Sequence, residues 1–314
     1  MRIHHRAWLG RVKDAFLRST ACRQGRTTTG HARVEVLILI GVSKTFVQRI
    51  GGSYQALDHI SLTIGKGEFV SLLGPSGCGK STVLNLVAGF DTLSEGTIEV
   101  NGKKVTGPGA DRVVVFQEHG LFPWLTVLDN VAFGLKQKGM AKKERHELAV
   151  EHIKSVHLSR FADRYPHELS GGMKQRAAIA RALAMDPEIL LMDEPFAALD
   201  EQTRLILHKE LEEIWMRTRK TILFITHNIR EAVILSDRVF VMSTRPGTIK
   251  KEFAVKAARP RESADTVLHH VENSIMDALA DELEKVVREE TGDEYIIKKN
   301  DFSGTASDSV GGGI

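Results

Sequence analysis

The run Gly74-Pro75-Ser76-Gly77-Cys78-Gly79-Lys80-Ser81 constrains this chain more than any other feature, because it fits the pattern G-x-x-x-x-G-K-S in the required context. The apolar run Phe69 to Leu73 precedes it, and Ser81 to Ala88, of helical composition, follows it and stops at Gly89. Strand, glycine-rich turn and helix in that order leave backbone N–H groups pointing inward at the positive end of a helix, which is a cradle for phosphate oxygens. Gly74, Ser76, Gly77, Cys78, Gly79 and Thr82 are expected to line that cradle, Lys80 to reach the β and γ phosphates, and Ser81 to ligate Mg2+. Cys78 reads as a small filler rather than a nucleophile, since no base is evident beside it.

The remaining pattern is that of an α/β chain. Short β-branched runs at Val34 to Ile40 and Ile60 to Ile64 predict two antiparallel strands. Buried-looking strands are expected at Val113 to Phe116, Ile189 to Met192, Thr221 to Thr226 and Arg238 to Met242, alternating with helical segments. Leu128 to Met185 reads as a separate helical lobe, broken at Pro166 and at Gly171-Gly172. Past the last strand, Val267, Val271, Ile275, Leu279, Leu283 and Val287 recur at a spacing that suits one helix face packed on the core. The stretch from Phe302 is rich in Gly, Ser and Asp and is expected to be disordered.

Bulk properties exclude several classes. The 43 basic and 40 acidic residues leave a net charge of +3, too even for an obligate nucleic-acid partner, although Arg2, Arg6, Arg11, Lys13, Arg18, Arg23, Arg26 and Arg33 crowd the first 33 residues against Asp14 alone. The longest apolar run, Val34 to Val42, falls far short of the roughly 20 residues that span a bilayer. That basic head also lacks the apolar stretch of a secretory signal, so export is not expected. Two cysteines, Cys22 and Cys78, give no disulfide framework and suit a reducing cytosol.

Two further motifs carry chemistry. Ile189 to Met192 ends in Asp193-Glu194, and such a strand end beside a phosphate loop suits a metal at Asp193 and an attacking water at Glu194. Leu169-Ser170-Gly171-Gly172-Met173-Lys174-Gln175-Arg176, ahead of an alanine-rich helix from Ala177 to Met185, supplies a second set of donors before a helix, with an ordinary N-cap at Ser170 as the plainer reading. In these motifs the chain resembles the ABC ATPase family, over Val34 to about Phe253. The resemblance implies an α/β P-loop NTPase with a RecA-like core, an antiparallel β subdomain and an inserted α-helical subdomain at about 128–185. Residues 1–33 would then be a disordered basic extension, 254–300 a helical extension and 301–314 a disordered tail.

Further roles follow from the resemblance. Gln117 matches the glutamine that touches Mg2+ and the lytic water, so the implied metal set is Ser81, Gln117 and Asp193, and the implied catalytic set Glu194, His227 and Gln117. His227 matches the switch histidine, and Ala198-Leu199-Asp200 a loop in which Asp200 communicates across a dimer, with Ala197 in place of the usual serine. Phe46 stands where an aromatic stacks on adenine, with Tyr54 a nearby competitor. Ser170, Gly171 and Gly172 would cover the ATP bound on a second copy, which makes the working unit a homodimer.

Leu121-Phe122-Pro123-Trp124-Leu125-Thr126-Val127-Leu128-Asp129-Asn130-Val131-Ala132-Phe133-Gly134-Leu135, Met173 and Arg245-Pro246-Gly247-Thr248-Ile249 are similar to the nitrate, sulfonate and taurine importer ATPases. That implies integral membrane permease subunits as partners, a periplasmic solute-binding protein indirectly, and a peripheral place on the cytoplasmic face of the inner membrane. The basic head supports a competing reading, a non-transport ABC module acting on nucleic acid or a ribosome. Leu121, Phe122, Trp124 and Leu125 are too apolar for an ordinary surface loop and need either a core or a partner.

Overall fold

The computed structural model describes residues 34–47, 51–262 and 265–291. The basic head and the tail from Phe302 lie outside the described residues.

Among the described residues, two sheets are built from ten strands. β1 (Glu35–Val47) and β2 (Ser53–Gly65) form the expected antiparallel pair, with Leu37 opposite Ile64 and Leu39 opposite Leu62. β3 (Phe69–Leu73) runs into the phosphate loop and α1 (Lys80–Ala88). β4 (Glu95–Val100) and β5 (Lys103–Lys104) complete a four-stranded antiparallel sheet ordered β2-β1-β4-β5. β6 (Arg112–Val115) leads to three lobe helices: α2 (Val127–Gln137), α3 (Lys142–Ser155) and α4 (Gly171–Ala184). Then come β7 (Ile189–Asp193), α5 (Glu201–Thr218), β8 (Thr221–Thr226), α6 (Ile229–Leu235), β9 (Arg238–Met242), β10 (Ile249–Ala254) and α7 (Thr266–Thr291). The second sheet has the order β10-β9-β3-β8-β7-β6, parallel except for the β9–β10 hairpin.

The inner strands β3, β7, β8 and β9 are dry on both faces, which is why they read as continuous apolar runs. Along β8, Ile222 and Phe224 face a core shared with α4, α5 and α6, whereas Leu223 and Ile225 face a core shared with α1 and the antiparallel sheet. β7 repeats the alternation, Leu190 and Met192 on one side and Ile189 and Leu191 on the other. On the first side Phe69, Phe196 and Phe224 pack ring to ring, and Trp215 meets Phe69 edge-on at 6.1 Å.

Two details depart from the sequence reading. Gly171 and Gly172 do not break the lobe; they are the first turn of α4, which therefore starts six residues before Ala177. Ser170 makes this possible by accepting the Met173 N–H at 3.3 Å as the N-cap. In α7 the buried face holds Leu268, Ile275 and Leu279, while Val267 is 45% exposed. A four-residue spacing drifts around a helix of 3.6 residues per turn: counted from Ile275, Leu268 is about 20° off the seam and Val267 about 80°.

α7 is tied down by a buried carboxylate. Glu282 accepts hydrogen bonds from the Thr244 N–H at 3.0 Å, from Lys250 Nζ at 3.1 Å and from Lys285 Nζ at 3.0 Å. Burial by itself would raise this carboxyl, but the Thr244 bond and the two lysines outweigh it and hold it at about 2 against an ordinary 4.5. A depressed carboxyl contributes stability above its unfolded pKa and loses it as pH falls through the folded one. The stability gap between the native protein and Glu282→Gln, from urea unfolding at a series of pH values, should therefore be widest above pH 4.5 and close toward pH 2. A gap independent of pH would show that the anchor is not ionic.

Candidate functional site

The site stands where three parallel strands end side by side. Leu73 of β3 pairs with Thr226 of β8, and Asp193 of β7 pairs with Ile225 of β8, so the phosphate loop, Asp193-Glu194 and His227 leave the sheet at one edge. Crevices at the carboxyl ends of such strands are the habitual place for ligands in α/β folds.

The phosphate loop packs under β2. Gly79 adopts φ +95, and a Cβ there would come within 2.6 Å of Leu57 Cδ2 and 3.2 Å of Ala56 O, so both backbone shape and space demand glycine. Lys80, the first residue of α1, is buried, and its Nζ donates to Gly74 O at 2.7 Å and Pro75 O at 3.0 Å. Gly74 and Cys78 are buried beside it, whereas Ser76, Gly77 and Ser81 are exposed and Thr82 half-buried in the first turn. Burial pushes the Cys78 thiol up, against the pull of Lys80, which fits an inert filler.

Ser81 Oγ donates to Asp193 Oδ1 at 3.1 Å. The Asp193 carboxyl is raised, by burial first and then by the charge of Glu194, despite the Ser81 bond and Lys80. Glu194 has φ +43, a left-handed backbone that costs a non-glycine residue on the order of 1 kcal/mol or more and that aims the carboxylate away from the strand line. Its Oε2 accepts from His227 Nδ1 at 2.8 Å, and its Oε1 lies 3.9 Å from Lys80 Nζ. Ser81 and Asp193 are hard oxygen donors in contact, a set that suits Mg2+, which takes one or two protein oxygens and completes its shell with phosphate and water. A cation there would also relieve the raised Asp193 carboxyl.

Five predicted residues thus meet: Lys80, Ser81, Asp193, Glu194 and His227. Others lie apart. Gln117 sits two residues past the end of β6, in an exposed turn, and among the described residues no hydrogen bond joins its side chain to those five. Phe46 and Tyr54 are cross-strand partners on β1 and β2, 40% and 39% exposed, so the two adenine candidates stand on one face as a pair, with Lys44 Nζ 4.7 Å from the Phe46 ring centre. Ser170, Gly171 and Gly172 lie on the helical lobe, where a Cβ at Gly171 would meet Leu199 at 3.1 Å and one at Gly172 would meet Thr203 at 2.7 Å. Asp200 caps α5, accepting from the Thr203 N–H at 2.9 Å and hydroxyl at 2.7 Å, bonds that lower its carboxyl.

Sequence reasoning missed the supports behind His227. Thr226 Oγ1 accepts the Asn228 N–H at 2.9 Å and donates to Glu231 at 2.6 Å, and Arg204 reaches Glu231 from α5. A polar Thr-His-Asn run closing an apolar strand was the available signal for the turn; nothing in the sequence marks Arg204.

Comparison with known proteins gives the same picture. A family model described as ABC transporter matches residues 57–197. The nitrate import ATP-binding protein NrtD of Synechocystis is 52% identical over 227 residues, 72% of this chain and 85% of the relative. The taurine import ATP-binding protein TauB of Rhizobium johnstonii is 51% identical over 214 residues, 68% of this chain and 82% of the relative. A dimeric ATP-binding cassette solved in a post-hydrolysis state with ADP and Pi superposes with a TM-score of 0.62 at 35% identity, covering 71% of this chain and 100% of the solved one.

Gly79→Ala tests the fit of the loop to its fold. Holding an alanine at φ +95 against Ala56 and Leu57 should cost about 1–3 kcal/mol of stability in denaturant unfolding. An unchanged midpoint would mean that the loop has another accessible shape.

Proposed function

Because the chain belongs to the ABC transporter ATP-binding family, we propose that it is the ATP-hydrolysing subunit of an importer for a small solute of the nitrate, sulfonate or taurine kind. The convergence of Lys80, Ser81, Asp193, Glu194 and His227 at the ends of β3, β7 and β8 carries this reading. The relatives reported above are import subunits, and nothing in them favours action on nucleic acid.

The chemistry assigned to the site is in-line attack of water on the γ phosphorus of ATP. A P–O bond forms to the water oxygen as the bond to the ADP oxygen breaks, and Glu194 accepts the water's proton. Lys80 and the loop N–H groups offset the charge that gathers on the phosphoryl oxygens. His227, bonded to Glu194 at 2.8 Å, holds that carboxylate in place. Mg2+, held by Ser81, Asp193 and Gln117, would neutralise phosphate charge. Phe46, paired with Tyr54, would stack on the adenine.

Ser170 suits the signature role even as an N-cap. Its oxygen accepts the Met173 N–H with a lone pair, which leaves its own O–H free to donate to a phosphate oxygen. The adjoining Gly171 and Gly172 face Leu199 and Thr203 of this chain, and the nucleotide Ser170 is assigned to serve is that of a second copy, in a homodimer closed by two ATPs with Gly171, Gly172 and Asp200 at the same face. No described helix is long and apolar enough to cross a membrane. The likeness to import ATP-binding proteins supports permease subunits as the solute path, fed by a periplasmic binding protein, with this chain on the cytoplasmic face.

The apolar segment after Gln117 divides in two. Phe122 packs on Phe133 with ring centres 4.4 Å apart, and Asn130 pins the Phe122 backbone through its N–H and carbonyl. Trp124 is 70% exposed, and Phe90 and Phe116, both exposed, stack on each other at 6.3 Å. Trp124 is therefore assigned as the permease-facing part, with the half-buried Phe122 ring beneath it, 5.6 Å from Trp124 and 4.4 Å from Phe133.

Two experiments test this reading. Lys80→Ala should weaken nucleotide binding and lower turnover on the order of 100-fold or more, whereas Glu194→Gln should bind ATP and persist as a dimer in size-exclusion chromatography with ATP and Mg2+. A Glu194→Gln protein that stays monomeric at high concentration counts against the composite site. Trp124→Glu should leave circular dichroism and ATP binding unchanged while abolishing permease pull-down and solute uptake; normal uptake would remove this segment from the coupling path.

A further inference from the structure

Two segments flank the reacting edge, the loop Phe196 to Leu199 that follows Glu194 and the turn Thr226 to Asn228 that carries His227. Each is gripped by a side chain that does not itself reach the nucleotide loop. Arg204, at the end of the first turn of α5, donates from Nη2 to Leu199 O at 2.9 Å and from Nε to Phe196 O at 3.4 Å. Glu231, buried on α6, accepts from Thr226 Oγ1 at 2.6 Å and from His208 Nε2 at 3.3 Å. Its own N–H donates to Asn228 Oδ1 at 3.1 Å, and the Asn228 N–H returns to Thr226 Oγ1, so the residues on either side of His227 are both tied to Glu231.

The two grips meet. Arg204 Nε lies 3.5 Å from Glu231 Oε1, and a cavity of about 20 Å3 separates this contact from Glu194 and His227. Arg204 is half-buried and also meets Glu201 at 2.9 Å, but Glu231 is buried, and withdrawing the guanidinium would leave that carboxylate to Thr226 and His208, so the contact resists being pulled apart. The loop carbonyls fix the guanidinium plane, and the planar fork transmits that orientation to Glu231.

We infer that Arg204 and Glu231 are a positioning couple for ATP hydrolysis: together they set the separation of the Phe196–Leu199 loop from the Thr226–Asn228 turn, and so hold the His227–Glu194 hydrogen bond in register. The inference rests on the assignment of Glu194 and His227 to the hydrolytic step. A couple of this kind acts on kcat, because it aligns groups for the transition state and leaves the phosphate cradle around Lys80 untouched.

Steady-state ATPase kinetics on the full chain test it, with Arg204→Gln, Glu231→Gln and the double variant. Each single variant should lose about tenfold in kcat with KM within about threefold of native, and the double variant should fall no further than the worse single one, since the two sever one link. Losses that multiply in the double variant, that track a falling melting temperature, or that appear in KM instead would overturn the couple, as would unchanged kcat. Should the charge-removing variants fail to fold, Thr226→Val keeps both charges and removes the hydroxyl that joins Glu231 and the Asn228 N–H; a fall in kcat at unchanged KM and melting temperature supports the couple, and native kcat overturns it. Glu194→Gln is run alongside: native turnover in that variant would sink the underlying assignment, whereas a dead Glu194→Gln beside fully active couple variants sinks the couple alone.

Discussion

The parallel pairing of β3, β7 and β8 is the constraint on which the chemistry depends. Parallel strands buried on both faces must all deliver their carboxyl ends to one edge, because each crossover helix returns the chain to the opposite edge before the next strand begins. The loops that leave that edge adjoin a stiff sheet whose inner strands are dry. Lys80, Ser81, Asp193, Glu194 and His227 come together for this reason, although 147 positions separate Lys80 from His227. Every apolar residue in the alternating rows of β7 and β8 helps to hold them.

The rigid sheet lets the site keep groups that would relax elsewhere. Asp193 carries a carboxyl raised by burial and by a neighbouring charge, and Glu194 holds a left-handed backbone. Such costs persist only where the surroundings over-determine the geometry. Here the Glu194 N–H is bonded to Ile225 O at 3.0 Å and its carboxylate to His227, so it is held at both ends. Strain and a raised carboxyl at one strand end are what a site built to hold a cation and a water requires.

The lobe and the C-terminal helix are attached by different physics. The lobe's join to the sheet is hydrophobic, with α4 contributing Ala177, Ala178, Ala180 and Ala182 to a core that includes Leu190 and Phe224. Small side chains allow close approach there. The C-terminal segment adds buried charge to that packing: Arg261 donates to the carbonyls of Val233 at 2.8 Å and Ser236 at 2.6 Å at the end of α6, and Glu282 holds Thr244 and Lys250. α6 begins one residue after Asn228, so the extension grips the helix whose other end orients His227.

The sequence by itself determined the phosphate loop, the strands of the parallel sheet and the acidic strand end, because each is a local pattern: glycines where φ must be positive, apolar runs where both faces are dry, carboxylates where a strand stops. It also marked Ser170 twice, as signature and as cap, and the structure shows that the cap is made while a donor remains. The tertiary structure was needed to show that Phe46 and Tyr54 stand on one face, that Phe122 is half-buried on Phe133 while Trp124 is exposed, and that Leu268 rather than Val267 faces the core. Arg204 and Glu231 were illegible for the same reason. A charged residue on a helix carries no mark of its partner, and the contact between α5 and α6 exists only once β8 has brought the two helices together on one face of the sheet.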